Sequence, residues 1–262
     1  AANNVAVGKN ALLLNTTGTG NIAVGTNALD AVTTTNGHTA VGHQALSAAT
    51  DTGNTAVGYL ACRDTTGGAY NVAVGYEALL LNTSGVYNVA VGVQALDANL
   101  TGGNNTAVGR LALSANTTAS DNTAVGRAAL LVNTTGGTNV AVGAYCLDAN
   151  TTGGFGTGVG YAALGANTTG ANNVGIGYAA IQTNTTGSSN IGIGYRALGS
   201  NTTAGGNVAI GLDAIFANTT GANNVAMGNY ALDANTTASY NTAVGSSALS
   251  ATQTGAQNTA VG

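Results

Sequence analysis

The sequence predicts an all-β fold: a parallel β-solenoid, or β-roll, with one 17-residue repeat per coil and about sixteen coils. Three observations predict it. A Val-Gly step, sometimes Ile-Gly or Met-Gly, recurs with its glycine at 8, 25, 42, 58, 75, 92, 109, 126, 143, 160, 177, 194, 211, 228, 245 and 262. Fourteen of the fifteen intervals are 17 residues, and the interval 42 to 58 is 16. That unit is too short for a helix pair or a leucine-rich repeat, and it suits one coil of stacked strands and bends. Finally, Pro is absent, as expected where nearly every backbone N–H is used by the next coil.

The unit reads N-(V/T)-A-V-G-x-x-A-L-x-x-N-T-T-G-x-x, as in Asn105 to Asp121. Position 1 is Asn in 14 of 16 copies. Such regularity at a polar site predicts a stacked amide ladder, with Asn54, Asn71, Asn88, Asn105, Asn122 and Asn139 among its rungs. Positions 2 to 4 alternate β-branched residues with Ala, the period of a strand. The position 5 glycine sits where the chain must bend, because Gly tolerates positive φ. Positions 6 to 11 are expected to form a second short strand or a single helical turn, with the strand favoured. Positions 12 to 15, Asn-Thr-Thr-Gly, carry turn chemistry. The core is expected to hold the position 4 Val and the position 9 Leu, for example Val108 with Leu113.

Small residues bear on assembly. Position 3 faces away from positions 2 and 4 on a strand. It accepts only Ala, or Gly at 158, 175 and 192. That restriction implies close approach by another backbone, either a neighbouring chain or another wall of the same coil. A slim coil has a thin core, so the chain is expected to self-associate. A parallel homotrimer is the favoured form, with end-to-end joining through open strand edges the other.

Composition excludes several classes. Hydrophobic residues are 44% and charged residues 5%, the reverse of a disordered chain. No run approaches the ~18 apolar residues of a membrane span. A net charge of −4 with five basic residues argues against nucleic acid. Residues 1–262 read as a single repeat domain, a fragment of a longer chain with signal and anchor segments outside it.

No cofactor, metal or catalytic site is expected. Asp30, Asp97, Asp148 and Asp233 share position 10 but lie coils apart, so they form no acid–base pair. His38 and His43 lack further ligands nearby and read as surface or turn histidines. Cys62 and Cys146 replace core residues five coils apart, beyond disulfide reach, and read as buried free thiols. The string Gly156-Thr157-Gly158-Val159-Gly160 lacks the βαβ context of a dinucleotide loop.

Two features carry functional expectations. Sequons occur at Asn15, Asn82, Asn99, Asn116, Asn133, Asn150, Asn167, Asn184, Asn201, Asn218 and Asn235. As N-glycan acceptors they would decorate one edge of the solenoid; otherwise the string simply makes a good turn. A tyrosine stripe occupies positions 6 and 7: Tyr59, Tyr76, Tyr145, Tyr161, Tyr178, Tyr195 and Tyr230. Such rows contact sugars or pack against partner chains.

The N-T-A-V-G-x-x-A-L strings, such as Asn54 to Gly58 and Asn241 to Gly245 with the residues that follow, resemble the head repeats of trimeric autotransporter adhesins (YadA-like) and related bacteriophage tail-fibre repeats. The resemblance spans the whole chain, although this unit is longer by an inserted Asn-Thr-Thr-Gly bend. It implies a left-handed parallel β-roll, three chains wide, displayed on a cell or virion. The expected function is the structural and adhesive shaft of an extracellular fibre, meeting a host-surface or glycan receptor. The alternatives are a carbohydrate-binding solenoid and an ice-binding one. Adjacent threonines such as Thr117 and Thr118 point to opposite strand faces, which weighs against a flat ice-binding array.

Overall fold

The computed structural model describes residues 2–262, which form two compact units, the first ending at Thr135 and the second beginning at Gly136. Each unit holds eight three-residue strands, from Val5–Val7 to Thr123–Val125 in the first and from Val140–Val142 to Thr259–Val261 in the second. Within each unit the strands pair in parallel and in chain order. Val5, Ala6 and Val7 lie beside Ile22, Ala23 and Val24, and the same like-on-like pairing repeats at every step within the unit. No helix occurs among the described residues. The fold is an all-β parallel β-solenoid with a 17-residue coil.

The short coil fits without a slip. Its missing residue falls in the bend between Ala49 and Thr52, so Thr39, Ala40 and Val41 still lie beside Thr55, Ala56 and Val57.

Each coil carries one strand, not two. Positions 6 to 11 form turns, closed by bonds such as the Ala78 N–H to the Gly75 carbonyl at 3.4 Å. The cause is backbone conformation. Positions 7 and 9 have positive φ, +53° at Glu77 and +52° at Leu79, which breaks the pleat. Inter-coil bonding nonetheless continues round the coil. Leu79 N–H donates to the Ala95 carbonyl and Leu81 N–H to that of Asp97, both at 2.9 Å. Backbone polar groups are thereby satisfied without strand geometry.

The position 5 glycine is obligatory. Its φ lies between +124° and +141° in the sixteen copies. A Cβ on Gly109 would stand 2.5 Å from the Gly126 carbonyl oxygen of the next coil.

The core differs from expectation on one wall. Position 9 is interior, with Leu113 fully buried, but Val108 is only half-buried and points outward. The inward strand residue is the position 3 alanine, fully buried at Ala107 and at most other copies. With a side-chain period of two, placing Ala inward sends positions 2 and 4 out. The lumen leaves no room for the reverse. An added Cβ on Gly175 would meet Leu164 Cγ at 3.0 Å, and one on Gly192 would meet Ile181 Cγ1 at 2.6 Å. The Ala/Gly restriction therefore comes from the opposite wall of the same solenoid.

Two asparagine columns run through the interior. At position 1 the main link is side chain to backbone. Asn71 Oδ1 accepts the Asn88 N–H at 2.9 Å, while Asn71 Nδ2 donates to the Gly85 carbonyl at 2.9 Å. Asn54, Asn88, Asn105 and Asn139 repeat this arrangement, and Asn122 N–H donates to Asn105 Oδ1. Carboxamides also meet directly at position 1, Asn71 Nδ2 donating to Asn54 Oδ1 at 3.3 Å and Asn105 Nδ2 to Asn88 Oδ1 at 3.2 Å, and a second carboxamide-on-carboxamide column, with mostly shorter bonds, lies at position 12. Asn99 Nδ2 donates to Asn82 Oδ1 at 2.8 Å and Asn116 Nδ2 to Asn99 Oδ1 at 2.9 Å. The second unit has its own position 12 column, from Asn150 to Asn235.

Candidate functional site

The position 12 column contains the sequon asparagines, which corrects the glycan-acceptor expectation. Asn82, Asn99, Asn116, Asn133, Asn150, Asn167, Asn184, Asn201, Asn218 and Asn235 are all buried. Asn99 Nδ2, the atom a glycan would occupy, also donates to the Gly102 carbonyl at 2.9 Å. Asn15, half-buried at one end, donates to the Gly18 carbonyl at 3.2 Å. A glycan on these nitrogens and the folded ladder exclude one another.

The tyrosines form columns because equivalent positions stack. In the first unit His43, Tyr59 and Tyr76 lie face to face, with centroids 5.4 and 5.2 Å apart. In the second, Tyr161, Tyr178 and Tyr195 stack at 5.4 and 5.2 Å, and Tyr145 meets Tyr161 edge-on at 5.9 Å. Tyr230 is exposed further along. Sequence reasoning missed His43 as a stack member. It also missed a second column, Tyr70 on Tyr87 at 5.5 Å, at position 17; their 17-residue separation was the available signal. Arg196 caps the second-unit column. Its guanidinium makes two bonds to Asp213 of the next coil, at 2.9 and 2.7 Å, and lies 4.5 Å from the Phe216 ring centroid.

Burial shapes the titratable groups. It pushes Asp97 up to about 6, with the nearby Glu77 charge adding to the rise, and it raises Asp148. Burial also pushes Cys62 and Cys146 up to about 12, so both are neutral, interior, free thiols. His38 is not a surface residue. It takes the place of a position 1 asparagine, fully buried, and its Nδ1 accepts the Asn54 N–H at 3.3 Å. Desolvation lowers its pKa. Among the described residues no three His, Cys, Asp or Glu side chains gather to hold a metal, and no helix is long and apolar enough to cross a membrane.

Two surfaces remain. The first is the outward strand face. Position 4 is Val, Ile or Met in all sixteen copies. Position 2 is Val or Ile in nine and Thr in seven. Exposure is 36% at Val74, 37% at Val57 and 44% at Met227, so each unit presents an unbroken aliphatic stripe along its strands. The second is a groove of about 760 Å³ in the second unit, lined by Tyr145, Tyr161, Asp148, Gln182 and Thr183 together with the small residues Ala149, Ala162, Gly165 and Ala166. No family model matches the chain, and no curated protein or solved structure matches it.

Proposed function

We propose that this chain is a non-enzymatic structural and adhesive segment of an extracellular or virion surface fibre, whose copies associate side by side through the outward strand face. The observation that carries this reading is the aliphatic stripe. A wall meant for water accepts Lys, Glu or Ser, but position 4 accepts only Val, Ile and Met across sixteen copies. Contiguous exposed apolar area on this scale marks an interaction surface. Repetition suits it to a second copy of the same chain: like coils stacked in parallel offer matching rows at the same spacing. A parallel homotrimer, the arrangement implied by the resemblance to trimeric adhesin heads, turns three such faces inward. The ladders of main-chain and carboxamide bonds give the stiffness a shaft needs. Function then resides in length and repetition.

Sedimentation equilibrium tests the reading. The chain is expected at about three times its 25.1 kDa mass. Replacing Val57 and Val74 by Lys should return it to the single-chain mass with the β circular dichroism retained, because both side chains point out of the fold. A wild-type chain that stays at 25.1 kDa at every concentration would refute side-by-side association.

A further inference from the structure

We propose that the groove lined by Tyr145, Tyr161 and Gly165 binds pyranose rings of a neutral oligosaccharide. Tyr161 and Tyr145 meet edge-on, with an interplanar angle of 82°, so they form a corner with ring surfaces in two directions. The neighbouring rings of the column lie within 10° of parallel. The corner exists because this coil start departs from the repeat, with Ala144 at position 6 and Tyr145 at position 7. Pyranose C–H faces pack on aromatic faces, which bury a large apolar area at low entropic cost. Vicinal hydroxyls need paired acceptors and donors at the rim. Asp148 supplies the acceptors and the exposed Gln182 carboxamide supplies both.

Gly165 makes the room. Position 10 holds Leu80 and Leu131 in other coils, but here it is Gly165. An added Cβ would sit 3.4 Å from Asp148 Oδ1, on the groove side. One coil beyond Gln182, Gly199 offers a similar gap, yet Phe216 fills it, lying 2.9 Å from where a Cβ would be. Of these two position 10 glycines, Gly165 is the one whose space no large side chain fills. Charge decides the ligand class. The charge-bearing side chain that lines the groove is the Asp148 carboxyl, and no Lys or Arg lines it, so acidic sugars are disfavoured.

This site names a receptor class for the adhesive reading and rests on it. Glycan binding and self-association are read by different measurements, so either can fail alone. The experiment prints neutral oligosaccharides of two to six pyranose residues beside sialylated and sulfated ones, and overlays the full chain. Binding to neutral members is expected, with at least a tenfold loss in Gly165→Leu, which fills the groove with a side chain that position 10 carries elsewhere. A comparable loss is expected in Tyr161→Ala, with Tyr76→Ala unchanged. Binding to charged members alone, binding untouched by Gly165→Leu, or no binding at all would overturn the proposal. So would a Gly165→Leu chain that binds no differently but loses its oligomeric mass, since the groove would then be a contact between chains.

Discussion

Replacing Asn184 with Ala removes one rung of the interior carboxamide column, and the structure sets the size of the effect. Asn184 is fully buried. Its Nδ2 donates to Asn167 Oδ1 and to the Gly187 carbonyl, both at 2.8 Å, and its Oδ1 accepts from Asn201 Nδ2 at 2.9 Å. Three bonds are lost. None of the three partners becomes an orphan: Gly187 O still accepts from Asn173 at 2.7 Å, Asn201 Nδ2 still reaches the Ala204 carbonyl at 3.0 Å, and Asn167 Oδ1 keeps a longer contact with Asn173. Each bond contributes roughly 1 kcal/mol net, and the small void adds to the loss, giving about 3–4 kcal/mol. In a repeat array stability is nearly a sum over neighbouring coils, so the loss should be local. Native-state hydrogen exchange reads it directly: amides from Ile181 to Asn207 should exchange at least a hundredfold faster, with strands far from this coil unchanged. Thr186→Ala, in the same bend but exposed, is the control and should stay near wild type. Equal protection in the two variants would refute the load assigned to the column.

Gly109→Ala should cost several kcal/mol, because it places a Cβ 2.5 Å from the next coil's carbonyl at a φ of +135°; a thermal midpoint within a degree of wild type would count against it. Gly158 is coupled to Cys146, whose Sγ occupies the space a Cβ at 158 would take. Gly158→Ala should destabilise by about 1–3 kcal/mol, and adding Cys146→Ala should recover most of it, whereas simple additivity in the double-mutant cycle would deny the packing. Asp97 holds its proton to about 6 against an ordinary 3.8. Between those values the unfolded chain has ionised while the folded chain keeps the proton, so this group's contribution to stability falls as pH rises from about 4 to 6 and is level above. Denaturant midpoints across that window should show the fall, and Asp97→Asn should flatten it; an identical slope in the variant would exclude the assignment.

The period, the strand at positions 2 to 4 and the bend at Gly109 and its equivalents were legible because each has a local chemical signature. The wall that faces inward was not. Alternation in Thr106-Ala107-Val108 fixes that Ala opposes its neighbours, but hydrophobicity favours Val for the core, and only the narrow lumen reverses that choice. The turns at positions 7 and 9 were hidden because Leu113 and Leu111 carry φ of +53° and +60° without the glycine or asparagine that usually advertises it. Asn116 looked like a glycan acceptor because the sequon and a buried amide ladder use the same letters; stacking at a 17-residue pitch distinguishes them. The groove needed three coils at once, since Tyr145, Gly165 and Gln182 meet only when coils are superposed.

The strand face is the point on which the account turns, and cysteine reactivity measures it. Native Cys62 and Cys146 are buried, with thiols pushed up to about 12, so they stay silent to maleimide. Val74→Cys places a thiol on the outward face and Thr118→Cys places one on an exposed bend. Both should label at the same rate in dilute solution. At concentrations where the sedimentation mass is a multiple of one chain, labelling at 74 should slow at least tenfold while labelling at 118 is unchanged. Free labelling at 74 in the associated state would contradict the account.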